Sequence, residues 1–149
     1  MTREEIMQKA IEEAYAALDA GEVPVGAVVV CEGEIIASAH NEREALCDPT
    51  AHAEVLALRR AAKKLGRRRL SGCTLFVTLE PCPMCAGAIV MSEPDAVIFG
   101  AYDGNAGCAG SVYCLPEDPA FMHPVACSGG LMQEECQRPL RAFFDAKRW

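Results

Sequence analysis

The stretch that most limits how this chain can fold runs from Cys73 to Ala101, CTLFVTLEPCPMCAGAIVMSEPDAVIFGA. CTLFVTL is an apolar run bounded by turn-forming residues, which predicts a buried strand. PMCAGAIVMS then reads as a short helix with a proline suited to its first turn, and DAVIFGA as a second strand. Upstream, VPVGAVVVCEGEIIASAHN holds two β-branched runs joined by the turn candidate CEGE, hence a hairpin. This order predicts an α/β fold with a mixed central sheet, the opening hairpin followed by parallel strands, and helices on both faces.

The remaining segments fill out that plan. Residues 3–20 predict an amphipathic helix with Ile6, Ala10, Ala14 and Leu18 on one stripe and Gly21 as its stop. Residues 51–65 predict another, because Val55, Leu58, Ala62 and Leu65 recur at spacings of three and four. Residues 101–123 are rich in glycine and proline and predict a long irregular loop, a length at which loops often serve function. PVACSG is a short extended piece, and a last helix is expected from Leu131 to the C-terminus. At 149 residues the chain suffices for one core, so a single domain, 1–149, is expected.

Composition excludes several classes. No apolar run approaches the roughly 20 residues of a membrane span, and MTREEIMQKA lacks the apolar centre of a signal peptide. A cytoplasmic protein with no membrane partner is expected. Nine cysteines are an odd number, which together with that compartment argues for free thiols or metal ligands rather than a disulfide scaffold. The net charge of -7 argues against a general nucleic-acid binder. Yet seven of the 14 basic residues fall in one tract, Arg59, Arg60, Lys63, Lys64, Arg67, Arg68 and Arg69. That tract is either a solvated helix face or a local footprint for phosphates.

Two motifs carry chemistry. Cys82 and Cys85 lie at a strand end where a helix begins, and the positive end of a helix favours the thiolate that binds metal. Such a pair serves zinc, redox chemistry or neither; Pro81 and Pro83 argue against a redox motif. In PTAHAE, His52 could cap a helix or sit in the core, but as a third donor it completes a zinc shell with one open position. On a helix, residues two apart point about 200° apart, so His52 and Glu54 are not expected to share the metal. Glu54 could simply favour a helix start, or it could take a proton from metal-bound water. The other cysteines, at 31, 47, 108, 114, 127 and 136, with Cys73 filling a strand start, show no second metal spacing.

HAE followed by PCPMC resembles the zinc-dependent nucleoside and nucleobase deaminases, the cytidine-deaminase-like group with a three-layer α/β/α fold. VPVGAVVV, HNE, DPTAHAE, TLFVTLEPCPMCAGAI, VIFGAYDGNAGCAGS and FFDAKRW resemble, in order and spacing, the bacterial tRNA adenosine deaminases. That resemblance spans about Glu5 to Arg148. It implies one Zn2+ per chain on His52, Cys82 and Cys85, with Glu54 as the catalytic proton carrier. The implied reaction converts adenosine to inosine at the wobble position of a tRNA anticodon stem-loop, a single-stranded target. Asn41 and the Ala53 backbone would then hold the base, Asp103 the neighbouring nucleotide, and Phe144 the anticodon loop. As a helical aromatic, Phe144 could equally be core, and Asn41 a simple turn residue. A homodimer with the substrate site near its interface is also implied.

Three positions depart from what that family commonly carries. Asn105 replaces a lysine, Met122 an asparagine beside the pocket, and Asp145 a basic residue. Two other functions fit the zinc motif: a deaminase of free guanine or cytidine, and a non-catalytic zinc-containing RNA-binding subunit. The intact Glu54 argues against the second.

Overall fold

A computed structural model describes residues 1–147. Nine elements follow one another: α1 (Arg3–Asp19), β1 (Gly26–Cys31), β2 (Glu34–His40), α2 (Ala53–Leu65), β3 (Cys73–Leu79), α3 (Pro83–Ser92), β4 (Ala96–Ala101), β5 (Ala126–Ser128) and α4 (Gln133–Lys147). The five strands form one sheet in the order β2-β1-β3-β4-β5. β1 runs antiparallel to β2 and β3, while β3, β4 and β5 are mutually parallel. The expected mixed sheet is therefore the observed one.

The hairpin turns at Glu32 and Gly33, both at positive φ (52° and 78°), the pair of left-handed residues that a two-residue turn between twisted strands demands. A bulge follows, since Val29 pairs with Ala37 and Val30 with Ile35, leaving Ile36 as the extra residue.

Side chains alternate across the sheet and both faces are buried, which is why these strands read as continuous apolar runs. Ala27, Val29, Leu75, Val77, Val97 and Phe99 face α2 and α3, packing with Leu56, Ala57, Leu58, Ala61 and Ile89. Val28, Phe76 and Ile98 face the opposite layer, against Ile6, Met7, Ala10 and Ile11 of α1 and Cys136 of α4. The result is the three-layer α/β/α arrangement.

Two glycines set how closely the outer helices approach. A Cβ at Gly100 would meet the Cys136 side chain of α4, and one at Gly26 would collide with the α1 backbone at the Ala10 carbonyl and the Ala14 nitrogen. Backbone cannot move aside as a side chain can. Gly26→Ala is expected to cost about 1–3 kcal/mol through overpacking, lowering the thermal midpoint by about 2–4 °C for each kcal/mol in a calorimetric scan.

Boundaries moved where caps override periodicity. α2 starts at Ala53 rather than 51, because His52 takes an extended conformation as its N-cap; Gly66, left-handed at φ 68°, ends it. α4 starts at Gln133 rather than Leu131, after Met132 at positive φ. The expected continuation of the last helix to the C-terminus involves residues 148 and 149, which lie outside the described residues. Among the described residues no helix is long and apolar enough to cross a membrane.

Candidate active site

His52 and Cys82 are the N-caps of α2 and α3, both extended (φ -74°, ψ 152° and φ -75°, ψ 176°). Neither side chain caps its own helix, so both are free to turn toward a common point. Pro83 starts α3, and Cys85 follows in its first turn. His52 Nδ1 lies 3.3 Å from Cys85 Sγ and 3.5 Å from Cys82 Sγ. A tetrahedral zinc with Zn–S of about 2.3 Å and Zn–N of about 2.0–2.1 Å requires N···S edges of about 3.6 Å. Both N···S distances are therefore close to those edges, and all three donor atoms lie within 4.8 Å of one another.

Charge at the cluster points the same way. The hydrogen bond from Cys85, with a second from His52, stabilises the Cys82 thiolate and brings its pKa down to about 4. The same contact with Cys82, reinforced by burial, holds the proton on Cys85 and pushes its pKa far up. His52 is raised by its hydrogen bond to Cys82. The cluster thus already holds one thiolate, that of Cys82, in a partly buried place, and a thiolate is the form in which cysteine binds a metal.

Glu54 is the second residue of α2 and only 4% exposed. Burial lifts its pKa, opposed by a backbone N–H and the nearby His52. The helical angle expected between His52 and Glu54 does not apply, since His52 lies outside the helix proper. Separate roles for the two rest instead on different backbone conformations.

A cleft of about 280 Å³ opens over these groups. It is lined by Asn41, His52, Ala53, Glu54, Cys82, Asp103 and Phe144, together with Arg43, Glu80 and neighbouring apolar residues. Every site residue expected from the sequence lines it except Cys85, which is fully buried. Phe144 is 51% exposed and meets Phe143 edge to face, centroids 5.3 Å apart, so the core alternative is excluded. The Asn41 amide donates to the Val23 carbonyl at 3.3 Å and its oxygen accepts the Arg43 N–H at 3.1 Å. One N–H and one lone pair remain uncommitted. Asp103 Oδ1 accepts the N–H groups of Asn105 and Ala106 and so shapes its own loop.

Three residues escaped the sequence reading. Glu80 is 2% exposed, and its carboxylate accepts the N–H groups of Asp103 (3.0 Å), Ala109 (3.1 Å) and Ser111 (2.8 Å) as well as the Ser111 hydroxyl. Gly107 packs on that carboxylate so closely that a Cβ would overlap it. Glu22, also buried, accepts the N–H groups of Glu44 and Ala45 and fastens the segment leading to His52. Arg43 is the cation that lines the cleft. An acid directly after an apolar strand, as in TLEP, was the available signal for Glu80.

Other expectations change. None of the seven residues in the basic tract lines the cleft; Arg60 pairs with Glu42, and Arg69 with Glu93. Met122, 88% exposed, lines a different cleft with Arg69, Glu93 and His123, so it is not beside this pocket. Cys114 and Cys127, given no metal role from their spacing, are brought together with Glu117.

A mixed α/β/α sheet with an imidazole, two thiols and a buried carboxylate at one cleft is the architecture of the zinc-dependent deaminases. The profile of the cytidine and deoxycytidylate deaminase zinc-binding region matches residues 1–101. A tRNA-specific adenosine deaminase of Bacillus subtilis (strain 168) is 51% identical over 145 residues, 97% of this chain and 90% of the relative. One from Aquifex aeolicus (strain VF5) is 49% identical, covering 84% and 83%. A solved structure from a study of A-to-I editing by tRNA:A34 deaminases at the wobble position of transfer RNA superposes with a TM-score of 0.89. It is 39% identical and covers 93% of this chain and 100% of that one. A guanine deaminase structure from Bacillus subtilis follows at 0.68 and 43% identity, over 74% and 71%. The chain belongs to the cytidine and deoxycytidylate deaminase family, in the branch of the tRNA-specific adenosine deaminases.

Proposed function

We propose that this chain hydrolyses adenosine to inosine, releasing ammonia, at the wobble position of a tRNA anticodon, with one Zn2+ held by His52, Cys82 and Cys85. The observation that carries the reading is the buried Glu54 carboxyl beside the donor cluster, on the floor of a cleft whose rim bears an exposed aromatic. A zinc ion in such a donor set acts as a Lewis acid that lowers the pKa of a water ligand to about 7. Glu54 accepts a proton from the attacking water and gives it to N1 of the purine; it then takes the proton of the new C6 hydroxyl and delivers it to the departing amine, leaving the C6 carbonyl of inosine and ammonia. Its burial-raised pKa suits a group that must both take and return protons. The free amide positions of Asn41 and the Ala53 backbone hold the base edge. Asp103 and Ala106 face the neighbouring nucleotide, and Arg43 supplies positive charge for the phosphates.

The identities and coverage of the tRNA-specific relatives favour tRNA over a free base. A homodimer closing the cleft, and reaction in the cytoplasm where tRNA resides, complete the proposal. The test incubates the protein separately with an anticodon stem-loop bearing adenosine, with guanine and with cytidine, following ammonia and product mass. Inosine from the stem-loop alone is the expected result; turnover of guanine or cytidine with an inert stem-loop overturns it. Phe144→Ala, exposed and therefore neutral for stability, is expected to weaken stem-loop binding by about 1–3 kcal/mol, the worth of one aromatic stacking contact. An unchanged KM removes Phe144 from the binding surface.

A further inference from the structure

The long loop after β4 gathers a second set of soft donors away from the cleft. Cys114 pairs with Ala109 in an isolated bridge, Cys127 lies in the edge strand β5, and Glu117 lies in the loop between them. Their sulfur and carboxylate oxygen atoms all lie within 4.8 Å of one another. The Cys114 thiol donates to Glu117 Oε1 at 3.3 Å, while Glu117 Oε2 accepts the Cys127 N–H at 2.9 Å. The carboxylate is thereby anchored on the strand backbone with its second oxygen turned toward a thiol. Both sulfurs are half-buried and Glu117 is exposed, so the cluster is open to solvent ions. None of the three lines the catalytic cleft.

We propose that Cys114, Glu117 and Cys127 form a second metal site, for a thiophilic divalent cation of the zinc type, which ties the cleft loop to the edge of the sheet. Two thiolates and one carboxylate select a borderline-soft ion over magnesium or calcium. Donor separations up to 4.8 Å contract to the roughly 3.6 Å edges of a tetrahedral shell by side-chain rotation, and water fills the fourth position. Binding exchanges two thiol protons, released to the buffer, for one dication; no atom changes oxidation state. The mechanical consequence follows from the connections on either side. Cys114 bridges to Ala109, whose N–H is held by Glu80, and Cys127 is in register with Val97 of β4. An ion here would join the Glu80-organised loop to the sheet.

The site is independent of the reading of the cleft, and the experiment separates them. Metal-free protein, kept reduced with a phosphine, is titrated with Co2+ while thiolate-to-cobalt charge-transfer absorption is followed, and zinc is counted by elemental analysis after dialysis. Two equivalents are expected for the unaltered chain and one for Cys127→Ser or for Cys114→Ser, the loop variant that spares the strand. Glu117→Gln is expected to weaken the second equivalent tenfold or more. His52→Ala is expected to lose the other equivalent and keep this one. A single equivalent in the unaltered protein, or a second that survives both cysteine substitutions, overturns the proposal.

Discussion

Replacing Glu54 with glutamine is expected to lower inosine formation by about 10²–10⁴-fold, the range that a positioned acid–base group contributes. The amide keeps the size of the buried side chain but cannot carry a proton between water, ring nitrogen and leaving amine. Because His52, Cys82 and Cys85 are untouched, zinc content should stay near one per chain at this site, and KM should change little. Measuring kcat at saturating stem-loop beside metal content separates lost chemistry from lost metal. Activity within a factor of ten of the unaltered enzyme would remove Glu54 from the mechanism.

Glu80→Gln is expected to act through the loop instead. Hydrogen bonds to a charged acceptor are worth about 1.5–3 kcal/mol each, and this carboxylate receives four. A glutamine oxygen retains some of them, so a loss of about 2–4 kcal/mol in unfolding free energy is expected. Burial alone would raise the Glu80 pKa, but the Ser111 hydroxyl and the three N–H groups outweigh it and hold the carboxyl below its ordinary 4.5. The stabilisation is therefore present above pH 4.5 and lost as the pH falls through the depressed folded value. The variant should lack this part of the acid destabilisation. With Asp103 and Ala106 displaced, catalytic efficiency should fall on the order of 10–100-fold, chiefly through KM. Unchanged KM with unchanged acid stability would reduce Glu80 to an incidental buried acid.

The layers of the fold were legible because local signals agreed with one another. The buried runs at β3 and β4, the proline opening α3 and the three-and-four spacing of α2 each name an element without long-range information. The donor set was legible for a similar reason, since CPMC is contiguous and His52 stood out among three histidines. What stayed hidden depends on chain reversal. Glu80 gains meaning only when a loop 23–31 residues later folds back over it. Cys114 and Cys127 show no ligand spacing because the loop's return onto β5, not helix periodicity, brings them together. Phe144 could not be separated from a core aromatic by pattern, because it stands next to Phe143 in α4 and only the fold shows that Phe143 is half-buried and Phe144 exposed.

That last helix has a further consequence. Its buried residues are Cys136, packed on Gly100, and Pro139; beyond them α4 is exposed except for the half-buried Leu140 and Phe143. The cleft floor is rooted in buried residues such as Glu54 and Asn41, whereas Phe144 on its rim lies in turns of α4 that are mostly exposed. Fraying of those turns costs far less than global unfolding. On the proposed function, loosening the turns that carry Phe144 is expected to change how fast a stem-loop is released while the metal content stays the same.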